Sequence, residues 1–218
     1  MTIMPVSNRT LSQRVRQASR TRREAARSSV REALLRAAGE LLLEAGYDAF
    51  SLRKVAERVG YTATTIYRHF ADKDALLYAV TDEGFRLFAA RLRGAGAGVP
   101  DPFDSLEAMG RAYIDFGLEH PVYYRVMFME RPDMLWRRSA DRPGSRMESF
   151  GVLRAAVEAA VATGRTVEAD VLAISNALWA QTHGAVALAL SMPHMPARQA
   201  RAFGTLGVGA IVRGLQRS

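Results

Sequence analysis

Apolar residues recur in this chain at intervals of three and four, the period of helices with one buried face. Leu34, Ala37, Ala38, Leu41, Leu42 and Ala45 mark a first helix from about Ser29 to Ala45, and Gly46 ends it. Ser29-Val-Arg-Glu32 fits a capping box, and Thr21-Arg-Arg-Glu24 offers an earlier start. Leu52, Val55, Ala56 and Val59 mark a second helix, capped by Ser51 and stopped at Gly60. Thr62 caps a third, in which Ile66 and Phe70 point inward, and Phe50 plugs the core of the three. A fourth opens at Asp72-Lys73, with Asp72 as N-cap, and carries Leu76, Leu77, Val80, Phe85, Phe88, Ala89 and Leu92 as far as Arg93.

Gly94-Ala-Gly-Ala-Gly98-Val-Pro-Asp-Pro102 then breaks the helical pattern and reads as a flexible loop, a candidate hinge or a surface turn. A fifth helix runs from about Phe103 to Leu118, and His120-Pro121 stops it and starts a sixth that reaches Met129. Arg131–Gly144 reads as a polar loop anchored by Leu135 and Trp136. A seventh helix spans about Ser145 to Ala162, an eighth about Glu168 to Met192, and a ninth begins at Ala197 after Pro193-His-Met-Pro196. No stretch alternates with a strand's period of two, so the expected fold is all-α with about nine helices. The eighth and ninth are apolar nearly all round, which implies burial on more than one side. Gly204, Gly207, Gly209, Ala210 and Gly214 let another helix approach closely. The expectation is a homodimer through helices at about 168–192 and 197–216; the alternative is packing within one subunit.

Charge divides the chain unequally. Residues 1–93 hold 17 Lys and Arg against 10 Asp and Glu, whereas residues 94–218 hold 13 against 12. A polyanionic partner is therefore expected for the N-terminal part alone. Residues 1–28 read as a basic, mobile arm, residues 29–75 as a three-helix head, and residues 76–218 as a larger helical domain. The arm carries Arg9, Arg14, Arg16, Arg20, Arg22, Arg23 and Arg27 with one acid, Glu24. Two readings stand: an arm that follows a DNA backbone or enters a minor groove, or a solvated tail. Arginine outnumbers lysine 28 to 2, which hints at a GC-rich bacterial genome. There is no cysteine, no apolar run long enough to span a bilayer and no apolar signal core, so a cytoplasmic protein is expected.

The outward face of the third helix is chemically unusual. Ala63, Thr64, Thr65, Tyr67, Arg68 and His69 are small, hydroxylated, aromatic or cationic, and none is acidic. A merely solvated face would carry Glu, Lys and Gln. These donors and methyl groups suit phosphates and base edges in a DNA major groove. Lys73, at the first turn of the next helix, adds an ammonium beside exposed amides.

The run Gly60-Tyr-Thr-x-Thr-Thr-Ile-Tyr-x-His-Phe70-x-x-Lys73 resembles the tetracycline-repressor family of bacterial transcription regulators, over about residues 29–80. His120-Pro121-x-Tyr-Tyr-Arg-x-Met-Phe128 and Trp179-x-x-x-His183-Gly184 are similar to a subgroup with a Trp…His-Gly signature in its C-terminal domain. The resemblance implies a ligand-responsive regulator, usually a repressor and a homodimer on a palindromic operator in double-stranded DNA. It places Thr62, Ala63, Thr64 and Thr65 at the groove, Tyr67, His69 and Lys73 at phosphates, and Ser51 and Arg53 at the second helix's DNA positions, while Arg68 joins the DNA-binding candidates through the chemistry of the outward face. Lys54 departs from the pattern, standing where an acid often completes a capping box.

Tyr113, Phe116, Tyr124, Met127, Phe128, Phe150, Trp179 and His183 are candidates to line a cavity for a small, largely apolar effector. Their other reading is plain core, with Trp179 and His183 a packed pair. His69, His120, His183 and His194 lack the paired spacing of metal ligands, and no phosphate loop, nucleophile elbow or carboxylate pair is present. No metal, cofactor or catalysis is expected. An architectural DNA-binding protein without a ligand, and an all-α enzyme using the aromatic cavity, are the competing functions.

Overall fold

Good helix formers fill the arginine-rich N-terminal segment, and neither Pro nor Gly occurs between residues 8 and 38. The chain answers with one long helix. A computed structural model describes residues 8–130, 145–167 and 170–217, and its first element, α1, spans Asn8–Ala49. Read from sequence, this helix begins near Ser29 or Thr21 and is preceded by an arm; the structure carries it back to Asn8. Intrinsic propensity explains the difference, because Arg, Ala and Gln hold a helix without a buried face. Gly46, at φ 72°, interrupts α1 where the pattern predicts its end.

Three N-caps set the elements that follow. Ser51 Oγ accepts from the Lys54 amide at 3.3 Å and opens α2 (Leu52–Arg58). Thr62 Oγ1 accepts from the Thr65 amide at 3.3 Å and opens α3 (Ala63–Tyr67). Asp72 Oδ1 accepts from the Ala75 amide at 2.6 Å at the head of α4 (Lys73–Gly96). Between α2 and α3 the backbone turns at Gly60, whose φ of 74° lies in the left-handed region. Phe50, Leu52, Val55, Ile66, Phe70 and Leu76 are buried with Leu34, Ala38 and Leu41 of α1.

The chain forms two units, Met1–Leu77 and Tyr78–Ser218, with the division inside α4. In the second, α5 (Pro102–Glu119) is capped by Asp101, whose Oδ1 accepts from the Phe103 amide at 2.8 Å. The expected loop before it is short, since α4 continues to Gly96 and Gly98 turns at φ 75°. One turn of α6 (Pro121–Arg125) passes into a π-helical stretch, Val126–Glu130. The loop anchor expected at Leu135 and Trp136 lies outside the described residues. Then come α7 (Ser145–Ala162), α8 (Val171–Ser191), capped by Asp170, and α9 (Ala197–Leu215). All nine α-helices of the described residues are thus in place, and the β pairing is one antiparallel bridge, Thr166 to Gln216.

Close approaches in this unit run through glycine. A Cβ on Gly117 would lie 2.4 Å from a methyl of Val186, and one on Gly204 would lie 2.7 Å from Ile114 and 2.9 Å from Ala185. Gly204 therefore packs α9 onto α5 and α8 of its own subunit, as the intrasubunit alternative holds. Small residues elsewhere on α9 stay exposed: Ala202, Ala210 and Gly214 flank Leu206, which is 68% exposed.

No atom lies within 4 Å of a Cβ built on Gly60, so substitution there strains only the backbone. Gly60→Ala is expected to destabilise the head by about 1–2 kcal/mol, the left-handed cost for an L-residue. Chemical denaturation of the full chain checks it; an unchanged midpoint would contradict the assigned turn.

Candidate nucleic-acid interface and ligand cavity

A five-residue helix is too short to persist on its own. Ile66 and Phe70 pin α3 inward while Thr62 caps it, and this leaves Ala63, Thr64, Tyr67 and Arg68 exposed. Tyr67 is 58% exposed, which a core tyrosine would not be. Thr65 is half-buried, its hydroxyl 3.1 Å from that of Thr62. His69 is half-buried too; burial, then the charges of Arg27 and Arg31 on α1, hold its imidazole below the ordinary value. Arg31 also lies over the Phe70 ring, 5.8 Å from its centroid.

The other candidates of this face are tied to the scaffold. Arg53 Nε donates to Glu57 at 2.8 Å, and Lys54 Nζ donates to the Ala49 carbonyl at 2.8 Å, where the sequence pattern led one to expect an acid at the cap. Lys73 Nζ sits 3.9 Å from the Tyr47 ring centroid and donates to the Tyr47 carbonyl at 3.5 Å. The Tyr47 hydroxyl in turn donates to Asp74. These contacts hold the Lys73 ammonium at the start of α4 and remove much of its rotamer freedom.

The second unit contains a cavity of about 470 Å³. Phe85, Phe88 and Leu92 of α4 line it with Tyr113 of α5 and Met127 and Phe128 of the π-helical stretch. Arg146, Met147, Ser149, Phe150 and Leu153 of α7 and Asn176 and Trp179 of α8 complete it. The rings meet edge to face: Phe88 and Tyr113 at 4.9 Å and 89°, Phe85 and Phe128 at 5.3 Å and 81°. Gly84 admits Met127 against α4, since a Cβ there would be 2.6 Å from its sulfur. Met147, 61% exposed, and Trp179, 39% exposed, mark the side open to solvent, whereas Phe88, Tyr113 and Met127 are buried. Arg146 is half-buried in the lining, and burial holds its guanidinium below the ordinary value. Ser145, the residue before it, is fixed by a 2.6 Å hydrogen bond to Asp82.

Five of the eight sequence candidates line this cavity: Tyr113, Met127, Phe128, Phe150 and Trp179. The other three do not. Phe116 is core, its ring 5.1 Å from Phe88. Buried Tyr124 and half-buried His183 form a polar contact instead, the Tyr124 hydroxyl 2.7 Å from His183 Nδ1 and 3.2 Å from the Tyr113 hydroxyl. Trp179 and His183 do share a face, with ring centroids 5.7 Å apart. The lining residues that sequence reasoning missed come mostly from α4 and α7. Phe85, Phe88 and Leu92 carry the same spacing as core, and Arg146, Met147 and Ser149 open a helix whose neighbour in space the sequence does not name.

Among the described residues no three potential ligand side chains gather for a metal, and no helix is long and apolar enough to cross a membrane. Both tyrosine hydroxyls are held neutral: burial raises Tyr113 and Tyr124 well above the usual phenol range.

Burial lowers His183. The unfolded chain therefore takes up the proton first as pH falls, so this histidine contributes stability that is complete above its unfolded value of about 6.5 and is lost as pH falls from there through its lower folded value. Replacing His183 with Asn is expected to flatten that part of the acid loss, and Tyr124→Phe to cost about 1–2 kcal/mol. Thermal unfolding across about pH 5–8 checks both; superimposable pH profiles for wild type and His183→Asn would rule out an imidazole held neutral by burial.

Comparison with known proteins agrees with both halves of this geometry. The family described as bacterial regulatory proteins, tetR family, matches residues 34–80, and the tetracyclin repressor-like C-terminal domain matches residues 106–208. The HTH-type transcriptional activator FasR of Mycolicibacterium smegmatis is 32% identical over 103 residues, 47% of each chain, so the match spans about half the length of that relative. A bacterial regulatory protein of the tetR family from Rhodococcus RHA1 superposes with a TM-score of 0.69 at 21% identity, over 86% of this chain and 97% of that one. The fatty acid degradation regulator FadR of Bacillus halodurans superposes with a TM-score of 0.71 at 15% identity, over 82% and 94%. At those identities the superpositions speak for the fold alone. The helix-turn-helix head and the helical domain behind it each match in sequence, and the chain belongs to the tetracycline-repressor family of transcriptional regulators.

Proposed function

We propose that this regulator is a homodimeric repressor whose grip on a palindromic operator is released by an amphiphilic effector with a long apolar tail and an anionic head. The observation that carries the effector class is the composition of the cavity wall: aromatic and methionine side chains over most of it, and the guanidinium-bearing Arg146 in the same lining. An apolar tail gains by leaving water at the first, and a carboxylate gains charge-assisted hydrogen bonds at the second. A cavity of this size also weighs against an architectural protein that works without a ligand.

On the DNA side, Thr62, Ala63, Thr64 and Thr65 meet base edges, and Tyr67, Arg68, His69 and Lys73, with Ser51 and Arg53, meet phosphates. Ala63 and Thr64 offer methyl groups to thymine and make no bidentate contact with guanine. The dimer forms through the exposed apolar faces of α8 and α9, which include Leu172, Leu188 and Leu206. It sets two copies of α3 about 34 Å apart, the spacing of half-sites one turn apart. Loading the cavity shifts Phe85, Phe88 and Leu92 of α4, and that helix begins in the head at Lys73. The effector thereby favours a dimer whose readers miss the half-site spacing. Repression follows from the family resemblance; the activator among its relatives defines the opposite outcome.

Calorimetry with palmitate and hexadecanol tests the effector. Arg146→Gln is expected to weaken palmitate about tenfold or more and leave hexadecanol unchanged, because a hydrogen bond to a charged group contributes about 1.5–3 kcal/mol. Equal losses for both would reject the anionic head, and no binding of either would reject the class. Palmitate must also release the protein from a duplex of its own upstream region in a mobility shift; tighter binding would assign activation. Leu206→Glu is expected to convert the dimer to monomer in light scattering, and a dimer that survives would move the interface elsewhere.

A further inference from the structure

The buried face of α1 does not stop where the core stops. Leu34, Ala38 and Leu41 lie on one line of the helix, and that line continues toward the N-terminus as Arg31, Arg27, Arg23, Arg20 and Arg16, at steps of four, four, three and four. The side of α1 that faces the head's core over its C-terminal half is thus, over its N-terminal half, a ridge of arginines. Residues 13–28 are exposed throughout. At 1.5 Å per residue the ridge extends about 22 Å from Arg31 to Arg16. Its single neighbouring acid is Glu24, which pairs with Arg20 at 2.8 Å.

The inner end of the ridge adjoins the DNA-reading helix. Arg27 and Arg31 are the charges that bear on His69, just past α3, and Arg31 lies over Phe70. Helices that present charge merely for solubility mix signs around the circumference. Here one sign occupies one line, in register with the core face, and that line starts beside His69 and Phe70, directly after α3. No apolar stripe accompanies it that would suit a membrane surface; Val15 stands alone as an exposed large apolar side chain on the segment.

We propose that this ridge is a second DNA-contacting surface, in which Arg16, Arg20, Arg23 and Arg27 follow the phosphate backbone of the duplex beyond the bases that α3 reads. The contact is sequence-independent: guanidinium groups spaced along a rigid helix match a line of phosphates and carry no base information. It lengthens the site occupied by each protomer and raises affinity for operator and non-operator DNA alike. The reading of α3 as the base-reading element underlies this inference, and the test separates the two.

The test is a salt titration of the full chain by fluorescence anisotropy. Its probes are a duplex of the protein's own upstream region and a scrambled duplex of the same composition. The variants are the triple substitution Arg16→Ala, Arg20→Ala, Arg23→Ala and the matching triple lysine. Each lost phosphate contact lowers the log–log salt slope by about 0.9, so the alanine variant is expected to lose roughly 2.7 per protomer. Affinity should fall by the same factor on both duplexes, leaving their ratio unchanged, and the lysine variant should restore most of the slope. Circular dichroism verifies that the helix survives. A wild-type slope in the alanine variant would overturn the ridge and leave the role of α3 intact. So would a loss confined to the upstream duplex, which would mean base reading, or slope retained with loss of binding to anionic lipid vesicles, which would mean a membrane. A wild-type chain that shows no salt-dependent binding to either duplex would overturn both readings together.

Discussion

Phe88 is the side chain on which the second unit turns. It meets Tyr113 and Phe128 edge to face and Phe116 at a tilt, so three elements orient themselves on one ring. Aromatic rings locked edge to face leave angular gaps that interdigitating aliphatic chains would close. Here the gaps merge into one cavity, bounded by the same rings that hold α4, α5 and the π-helical stretch together. The wider π turn matters to this: it brings the adjacent residues Met127 and Phe128 both to the cavity, and glycine at position 84 leaves room for the first of them. The contact with half-buried His183 gives the buried Tyr124 hydroxyl a hydrogen-bond partner.

The head relies on a different economy. Its second and third helices are seven and five residues long, below the length at which helices sustain themselves. Side-chain caps at Ser51, Thr62 and Asp72 supply the hydrogen bonds that so few turns cannot, and inward residues such as Ile66 and Phe70 supply the burial. A display surface results whose outer residues contribute little to folding and are left to chemistry. This division of labour is why the face of α3 is so poor in acids and so rich in hydroxyls.

The head was legible in the sequence because its determinants are local. Caps lie three residues from the amides they bind, and the turn glycine shows its left-handed conformation by its position between two short apolar patterns. The cavity was legible only in part. Tyr113, Phe128, Phe150 and Trp179 stand out as large rings at helical spacing, but spacing cannot tell a ring that faces space from one that faces another ring, and Phe116 is the example. Arg146 and Ser149 gave no signal, because their neighbours come from α4 and α8, dozens of residues away. The N-terminal helix escaped for the opposite reason: a run dense in arginine suggests solvation, and its helical content follows from propensity without any apolar stripe to announce it. Of the small residues of α9, Gly204 serves a neighbour within the subunit, a role that spacing alone does not separate from an outward one.

A cavity of about 470 Å³ has a consequence for how long such a chain survives in a cell. Side chains around a cavity make fewer dispersion contacts than those of a close-packed core, so a molecule that fits the space adds contacts and makes local opening costlier. A molecule that occupies the space at a hundred times its dissociation constant shifts the folding equilibrium by about 2.7 kcal/mol, and proteolysis that acts on the open form slows accordingly. Under the proposed function, occupancy of the cavity is then read twice, once in whether the regulator holds its DNA and once in how many copies of the regulator escape turnover.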